Sequence, residues 1–260
     1  MLTITGFHAI EEKIKSLDKN SASKAKLLYD KAGPRVKKIL ELAQSLKIEC
    51  RQVSTGELNK AVANLNELAR DHRGVVLQIA GEKEAESNII SEENLVAFLN
   101  SKREIRNKTG SKQGRSLVMI LDGITDPHNV GAIIRSTDQF AADLVIIPNK
   151  RSATESEVIA RSSSGAASWV PLMFVPNLNR ILTTLKEAGY WIYGADAGGE
   201  KLGSFTPSDK IAIVMGSEGN GMSKLVKENC DKIVSIPTCG KLDSLNVSVA
   251  AGILLYALSR

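Results

Sequence analysis

The sequence predicts an α/β protein in two units: a small N-terminal α/β unit and a larger C-terminal unit built on a mainly parallel sheet. Three observations carry this reading. From Leu117 onward, short apolar runs alternate with helical patterns, as strands do in a sheet covered on both faces. Residues 1–80 show a shorter version of the same alternation. Between the two lies a polar stretch, 81–116, rich in glycine, serine and cations.

The elements follow in chain order. Phe7, Ile10, Ile14 and Leu17 recur at helical spacing over 7–17. Ala25 to Tyr29 reads as a strand. Pro34 opens a helix with Val36, Ile39, Leu40 and Ala43 on one side, and proline suits a first-turn position. Ile48 to Val53 alternates like a strand, 57–69 has a helical pattern, and Gly74 to Ala80 fits a buried strand. Residues 1–80 therefore form one compact unit. The segment 81–116, most cationic from Ser101 to Ser116, reads as a linker or flexible basic arm. In 117–260, strands are expected at 117–121, 143–147, 169–174, 190–194, 211–215 and 232–236. Helices are expected at 129–140, 155–163, 177–188, 222–229 and 246–258. The last helix is apolar on both sides, with Val247, Ala251, Leu254 and Leu258 on one and Val249, Ile253 and Tyr256 on the other. Such a helix should be buried against the sheet and a second subunit.

Composition narrows the class. With 260 residues and 43% apolar content, the chain can bury a core in each unit. Its net charge of +5 fits a polyanionic partner. Cys50, Cys230 and Cys239 are odd in number and scattered, which argues for reduced thiols and against a disulfide framework or zinc site. No basic region followed by an apolar stretch opens the chain, and the longest apolar run is too short to span a bilayer. A cytoplasmic protein with no membrane anchor is expected.

Three segments place small, polar or charged residues where a strand ends and the chain turns, which is where open parallel sheets bind ligands. The first runs Asp126-Pro127-His128-Asn129-Val130-Gly131-Ala132-Ile133-Ile134-Arg135-Ser136. Taken by residue type alone, Asn129 caps a helix there and Arg135 pairs with Asp138. The second runs Gly216-Ser217-Glu218-Gly219-Asn220-Gly221-Met222; its glycines permit close approach to a ligand, but no Lys-Ser/Thr follows to make a nucleotide phosphate loop. The third runs Ile236-Pro237-Thr238-Cys239-Gly240-Lys241-Leu242-Asp243-Ser244-Leu245-Asn246-Val247, where Ser244 or Asn246 could cap the final helix.

In order and spacing these segments resemble the SpoU family of RNA 2′-O-ribose methyltransferases, within the SPOUT superfamily. The resemblance spans about 140 C-terminal residues. Gly6-Phe7-His8-Ala9-Ile10 and His72-Arg73-Gly74-Val75 extend it to a ribosomal-protein-like RNA-binding unit at 1–80. The resemblance implies a C-terminal trefoil knot, against the general rule that chains avoid knots. It also implies a homodimer and S-adenosylmethionine held by loops around Ala195, Gly216, Ile236 and Leu245. Active-site residues carried over are Asn129, Arg135, Glu218, Ser244 and Asn246. Arg135 is the family's usual candidate for deprotonating the ribose hydroxyl. A guanidinium stays protonated, so we expect it instead to stabilise a developing alkoxide or grip a phosphate. Glu218, Ser244 and Asn246 would orient the ribose and hold the loops.

The expected substrate is a guanosine of bacterial 23S ribosomal RNA, because the folded N-terminal unit accompanies the full first motif. A transfer-RNA guanosine methyltransferase and an RNA-binding assembly factor without catalysis are the alternatives; the factor should show damaged motifs, and these are intact. A nicotinamide enzyme is excluded because no Gly-x-Gly-x-x-Gly follows the first strand of a βαβ unit. Candidate RNA contacts outside the C-terminal unit are Arg35, Lys37, Lys38, Arg51, His72 and Arg73.

Overall fold

The computed structural model describes residues 2–17, 19–65, 70–80, 88–109, 115–149, 163, 166–240 and 244–259. The chain divides into two compact units, residues 1–88 with 155–169, and residues 89–154 with 170–260.

In the first unit, β1 (Leu2–Ile4), β2 (Ala25–Tyr29), β3 (Glu49–Gln52) and β4 (Val75–Ile79) form one sheet in the order β1-β4-β2-β3. β2 pairs with β3 in parallel, and β4 runs antiparallel to both β1 and β2. Helices α1 (Phe7–Ser16), α2 (Lys19–Ser23), α3 (Pro34–Ser45) and α4 (Thr55–Ala61) complete it. Ile10 and Ile14 of α1 and Ile39 and Ala43 of α3 bury against Leu27, Leu77 and Ile79 on one face. On the other face, Leu58 of α4 and Val62 cover Leu28 and Val76. β1 and α2 are too short to leave a period in the sequence. α4 is shorter than the 57–69 pattern, starting at a Ser54–Glu57 capping box; residues 66–69 lie outside the described residues.

The second unit begins where a linker was expected. Much of the expected linker is the helix α5 (Leu95–Thr109), preceded by a short 3-10 turn at Glu92–Asn94. Its cations concealed an apolar i, i+3, i+4 set: Leu95 and Leu99 are core residues, with Phe98 packed against the same core. Ser116, the linker's last residue, is buried; its hydroxyl donates to Asp143 Oδ2 at 2.6 Å and lies 2.6 Å from the Tyr190 hydroxyl.

Six strands then form a parallel sheet: β5 (Ser116–Asp122), β6 (Leu144–Pro148), β7 (Leu172–Val175), β8 (Trp191–Lys201), β9 (Lys210–Gly216) and β10 (Lys232–Ser235). Their order is β10-β8-β9-β5-β6-β7, and every neighbouring pair is parallel. Side chains alternate across the sheet. Val118, Ile120, Ile146, Ala212 and Val214 meet α5, α7 (Leu178–Glu187) and α8 (Lys224–Glu228). The opposite face lies toward α6 (Pro127–Gln139) and α9 (Val247–Leu258), which pack on each other and on β6 and β9. The helix expected at 155–163 falls outside the described residues, Ser163 apart.

β8 outruns its expected end at 194. It pairs with β10 through Gly194, leaves the ladder for five residues, and rejoins it at Glu200↔Val234 and Lys201↔Ser235. Gly199 allows the rejoining, since a Cβ there would stand 2.6 Å from the Ile233 backbone. Ala141 adopts φ +48° at the turn after α6, a left-handed conformation that residues other than glycine seldom take. No helix among the described residues is long and apolar enough to cross a membrane.

Candidate active site

The site lies beyond the carboxyl ends of β9 and β10 and the point, after Gly194, where β8 leaves the ladder, the position that parallel-sheet topology favours. A cavity of about 590 Å³ opens there, lined by the β8 excursion, the loop after β9, the loop after β10 and the start of α9. That volume falls within the range of pockets that enclose nucleoside-sized ligands.

The β9 loop shapes its floor. Ser217 and Gly221 exchange two backbone hydrogen bonds, folding Glu218, Gly219 and Asn220 into a tight tip. The fold-back brings the Gly221 carbonyl carbon so close to Gly216 that a Cβ at Gly216 would stand 2.2 Å from it. Only glycine fits there.

The three motifs meet at Glu218. Its Oε1 accepts from Asn129 Nδ2 at 3.2 Å, from Asn246 Nδ2 at 2.9 Å and from the Val247 amide at 3.5 Å. Asn246 Nδ2 also donates to Asn129 Oδ1 at 3.1 Å, closing a ring of three side chains. Asn129 is free to take part because it does not cap its helix. Asp126 does, accepting from the His128 amide at 2.9 Å, with Pro127 at the first helical position. Asn246 does cap its helix: its Oδ1 accepts from the Ser248 and Val249 amides while Nδ2 faces Glu218. Asn246 caps its helix and meets Glu218 at once, because one carboxamide offers separate donor and acceptor atoms.

All four residues expected to hold a cofactor line the cavity: Ala195, Gly216, Ile236 and Leu245. Ser244 and Glu218 line it as well. Arg135 does not; it is exposed on α6, about one and two-thirds turns beyond Asn129. Lys241, Leu242 and Asp243 lie outside the described residues.

Sequence reading missed Asp196, which lines the cavity from the β8 excursion. Its Oδ2 accepts from Lys227 Nζ at 2.6 Å and its Oδ1 from the Gly198 amide at 3.0 Å. The Lys227 hydrogen bond, with that from Gly198, holds the Asp196 carboxyl below the usual range. The Gly198-Gly199 pair, two residues on, was the available signal for a bulge. Nearby, burial pushes the Cys230 thiol up to about 11, so it is inert at neutral pH; the three cysteines are free.

In the N-terminal unit, Arg35, Lys37, Lys38 and Arg51 are exposed. His72 is not. It is 9% exposed, its Nδ1 accepts from the Gly74 amide at 3.0 Å, and its Nε2 sits 3.0 Å from Asn59 Oδ1. One ring nitrogen serves the turn before β4 and the other meets Asn59 of α4, which withdraws His72 from the expected RNA contacts. Arg73 is half-buried, with Nε 3.3 Å from Asp71 Oδ2.

Comparison with known proteins accords with this geometry. The family model described as the SpoU rRNA Methylase family matches residues 116–256, and that for RNA 2′-O ribose methyltransferase substrate binding matches residues 3–85. A Borreliella burgdorferi protein named as an uncharacterized tRNA/rRNA methyltransferase is 39% identical over 236 residues, covering 90% of this chain and 96% of that one. A 23S rRNA (guanosine-2′-O-)-methyltransferase of Xanthomonas campestris is 34% identical over 261 residues, covering 99% and 95%. In structure, the chain is similar to the SpoU methyltransferase AviRb of Streptomyces viridochromogenes, solved in complex with AdoMet, at TM-score 0.61 and 20% identity over 99% of this chain and 88% of that one. The extent of the first match, which takes in the parallel sheet and all three motifs, means that the chain belongs to the SpoU family of RNA methyltransferases.

Proposed function

We propose that this protein transfers the methyl group of S-adenosylmethionine to the ribose 2′-hydroxyl of a guanosine in 23S ribosomal RNA. The observation that carries the reading is the closed ring of Asn129, Glu218 and Asn246 at the edge of the cavity. The cavity residues fit the cofactor. Backbone groups of the β9 loop and the small or aliphatic Ala195, Ile236 and Leu245 suit an adenosyl group, and two carboxylates, Asp196 and Glu218, suit a cationic methionyl end. When bound, the cofactor supplies a methyl group already activated on a sulfonium.

What remains for the chain is alignment and help with the hydroxyl proton. Glu218 fixes the β9 loop against the first turns of α6 and α9, so the three motifs move as one body. Asn246 acts through Glu218 and Asn129 as a positioning residue. Ser244, exposed at the cavity wall, is placed to hydrogen-bond the incoming ribose. Arg135 carries a fixed positive charge that stabilises a developing alkoxide or holds a neighbouring phosphate.

Two copies per enzyme accord with α9, whose Val249, Ile253 and Tyr256 are 51%, 37% and 46% exposed at i, i+4 and i+7. The trefoil knot implied by the family resemblance would be formed by the C-terminal segment. Free thiols accord with a cytoplasmic location. On the N-terminal unit, Arg35 and Arg73, with neighbouring Lys37, Lys38 and Arg51, supply phosphate contacts.

The test is methyl transfer from radiolabelled S-adenosylmethionine to unmodified 23S RNA, to transfer RNA, or to neither, with Arg135→Ala alongside. The reading expects alkali-resistant labelled dinucleotides from 23S RNA, lost in the variant. Label confined to transfer RNA would move the substrate; label on a base would overturn ribose chemistry.

A further inference from the structure

The two carboxylates of the cavity are held in different ways. Glu218 accepts hydrogen bonds from neutral amides of Asn129, Asn246 and Val247. Asp196 is paired with a full charge, Lys227 Nζ at 2.6 Å. Lys227 projects from α8 and is not among the residues lining the cavity. Its ammonium therefore offsets Asp196 from behind the wall. No lysine, arginine or histidine lines the cavity among the described residues. The cavity thus carries net negative character whose strength depends on how far Lys227 offsets Asp196.

The ligands of such a site differ in one respect that matters. The methyl donor carries a sulfonium, an ammonium and a carboxylate, for a net charge of about +1 at neutral pH. Loss of the methyl group leaves a neutral thioether on an otherwise unchanged molecule. A wall carboxylate therefore distinguishes donor from spent product by charge alone, since shape differs by one carbon. A unit charge several ångströms away in a half-solvated cavity changes affinity by about three- to tenfold.

We propose that Asp196, partly neutralised by Lys227, sets the preference of this site for the charged methyl donor over the neutral product, an inference that rests on the cofactor reading above. Asp196 is a specificity residue of the cavity wall, and Lys227 positions it and tunes its charge. The two residues act in opposite directions on one quantity. Removing the carboxylate weakens the preference, whereas removing the ammonium strengthens it. A purely structural role for the pair would predict otherwise, because breaking either partner would loosen the wall and weaken both ligands together.

The test is calorimetric titration of the intact protein with S-adenosylmethionine and with S-adenosylhomocysteine. Wild type, Asp196→Asn and Lys227→Met are compared. The ratio of the two affinities is expected to fall about fivefold in Asp196→Asn and to rise about twofold or more in Lys227→Met. Product affinity should change by less than about twofold in either. The wild-type ratio should also shrink as ionic strength rises from about 0.05 to 0.5 M, a readout that needs no variant. Unchanged ratios, ratios moving in the same direction, or a salt-independent wild-type ratio would overturn the inference while leaving the cofactor reading in place. Binding of neither ligand to the wild-type chain would overturn both.

Discussion

At the carboxyl end of β9, Glu218 collects donors from the starts of two helices on a single oxygen, and Gly216 leaves no room for a methyl group beneath the loop. On the N-terminal unit, Arg35 stands exposed in the first turn of α3, where no acid shares the turn and no side chain caps the helix. The first region is fixed by hydrogen bonds that allow one arrangement. The second offers charge without fixed geometry, and a cation at a helix N-terminus sits against the local dipole. Chemistry at one atom needs the first kind of surface. Adhesion to a phosphate backbone works with the second, because counterion release rewards charge and tolerates displacement.

The contrast is tested most severely at Gly216. Gly216→Ala must push the Gly221 backbone away from the β9 terminus. We expect loss of methyl transfer by at least about a hundredfold and a stability cost of about 3 kcal/mol, measured by single-turnover transfer and by denaturant melts. Normal transfer by Gly216→Ala would mean that the loop has slack and that the first region is less fixed than described.

On the other side of the comparison, Arg35→Ala with Arg73→Ala should weaken RNA binding and reduce its salt slope by about 1 to 2, read from affinities across a salt series. Transfer at saturating RNA should stay close to wild type. A salt slope equal to wild type would remove both residues from the footprint.

A smaller effect separates His72 from those arginines. Burial, the largest influence, lowers its pKa despite the opposing carboxylates of Asp30 and Asp71. A depressed histidine pKa favours the neutral ring in the folded state. Its contribution to stability is therefore complete above the unfolded value of about 6.5 and is lost as pH falls through the lower folded value. Protonating Nδ1 also removes the acceptor of the Gly74 amide. Denaturant melts should show stability falling below about pH 6.5 by at most about 1.4 kcal/mol per pH unit, with a flatter profile in His72→Gln. The same variant should leave the RNA salt slope unchanged; a reduced slope would return His72 to the surface footprint.

How much was legible follows the same division. β2 stands where its apolar run placed it, and β5, β6 and β9 lie within one or two residues of expectation, because buried parallel strands write themselves as continuous apolar runs. α5 was hidden because Lys102, Arg103 and their cationic neighbours outweighed Leu95, Phe98 and Leu99 in a composition reading. The excursion of β8 was hidden because pairing resumes five residues later with a different register, which no local period reports. At the site, residue types suggested that Asn129 and Asn246 both cap helices. The fold separates them, since Asp126 takes the cap of α6 and releases Asn129 toward Glu218. Asp196 could not be assigned from sequence because its place in the cavity depends on the bulge that carries it.

Glu218 joins the three motifs into one working geometry. That role is tested most directly by single-turnover methyl transfer with Glu218→Ala, alongside calorimetric cofactor binding and a thermal melt. Transfer should fall by about a hundredfold or more, with the protein still folded and the cofactor still bound within about tenfold of wild type. Transfer within about threefold of wild type would contradict that role, because the ring of Asn129, Glu218 and Asn246 would then be a feature of packing alone.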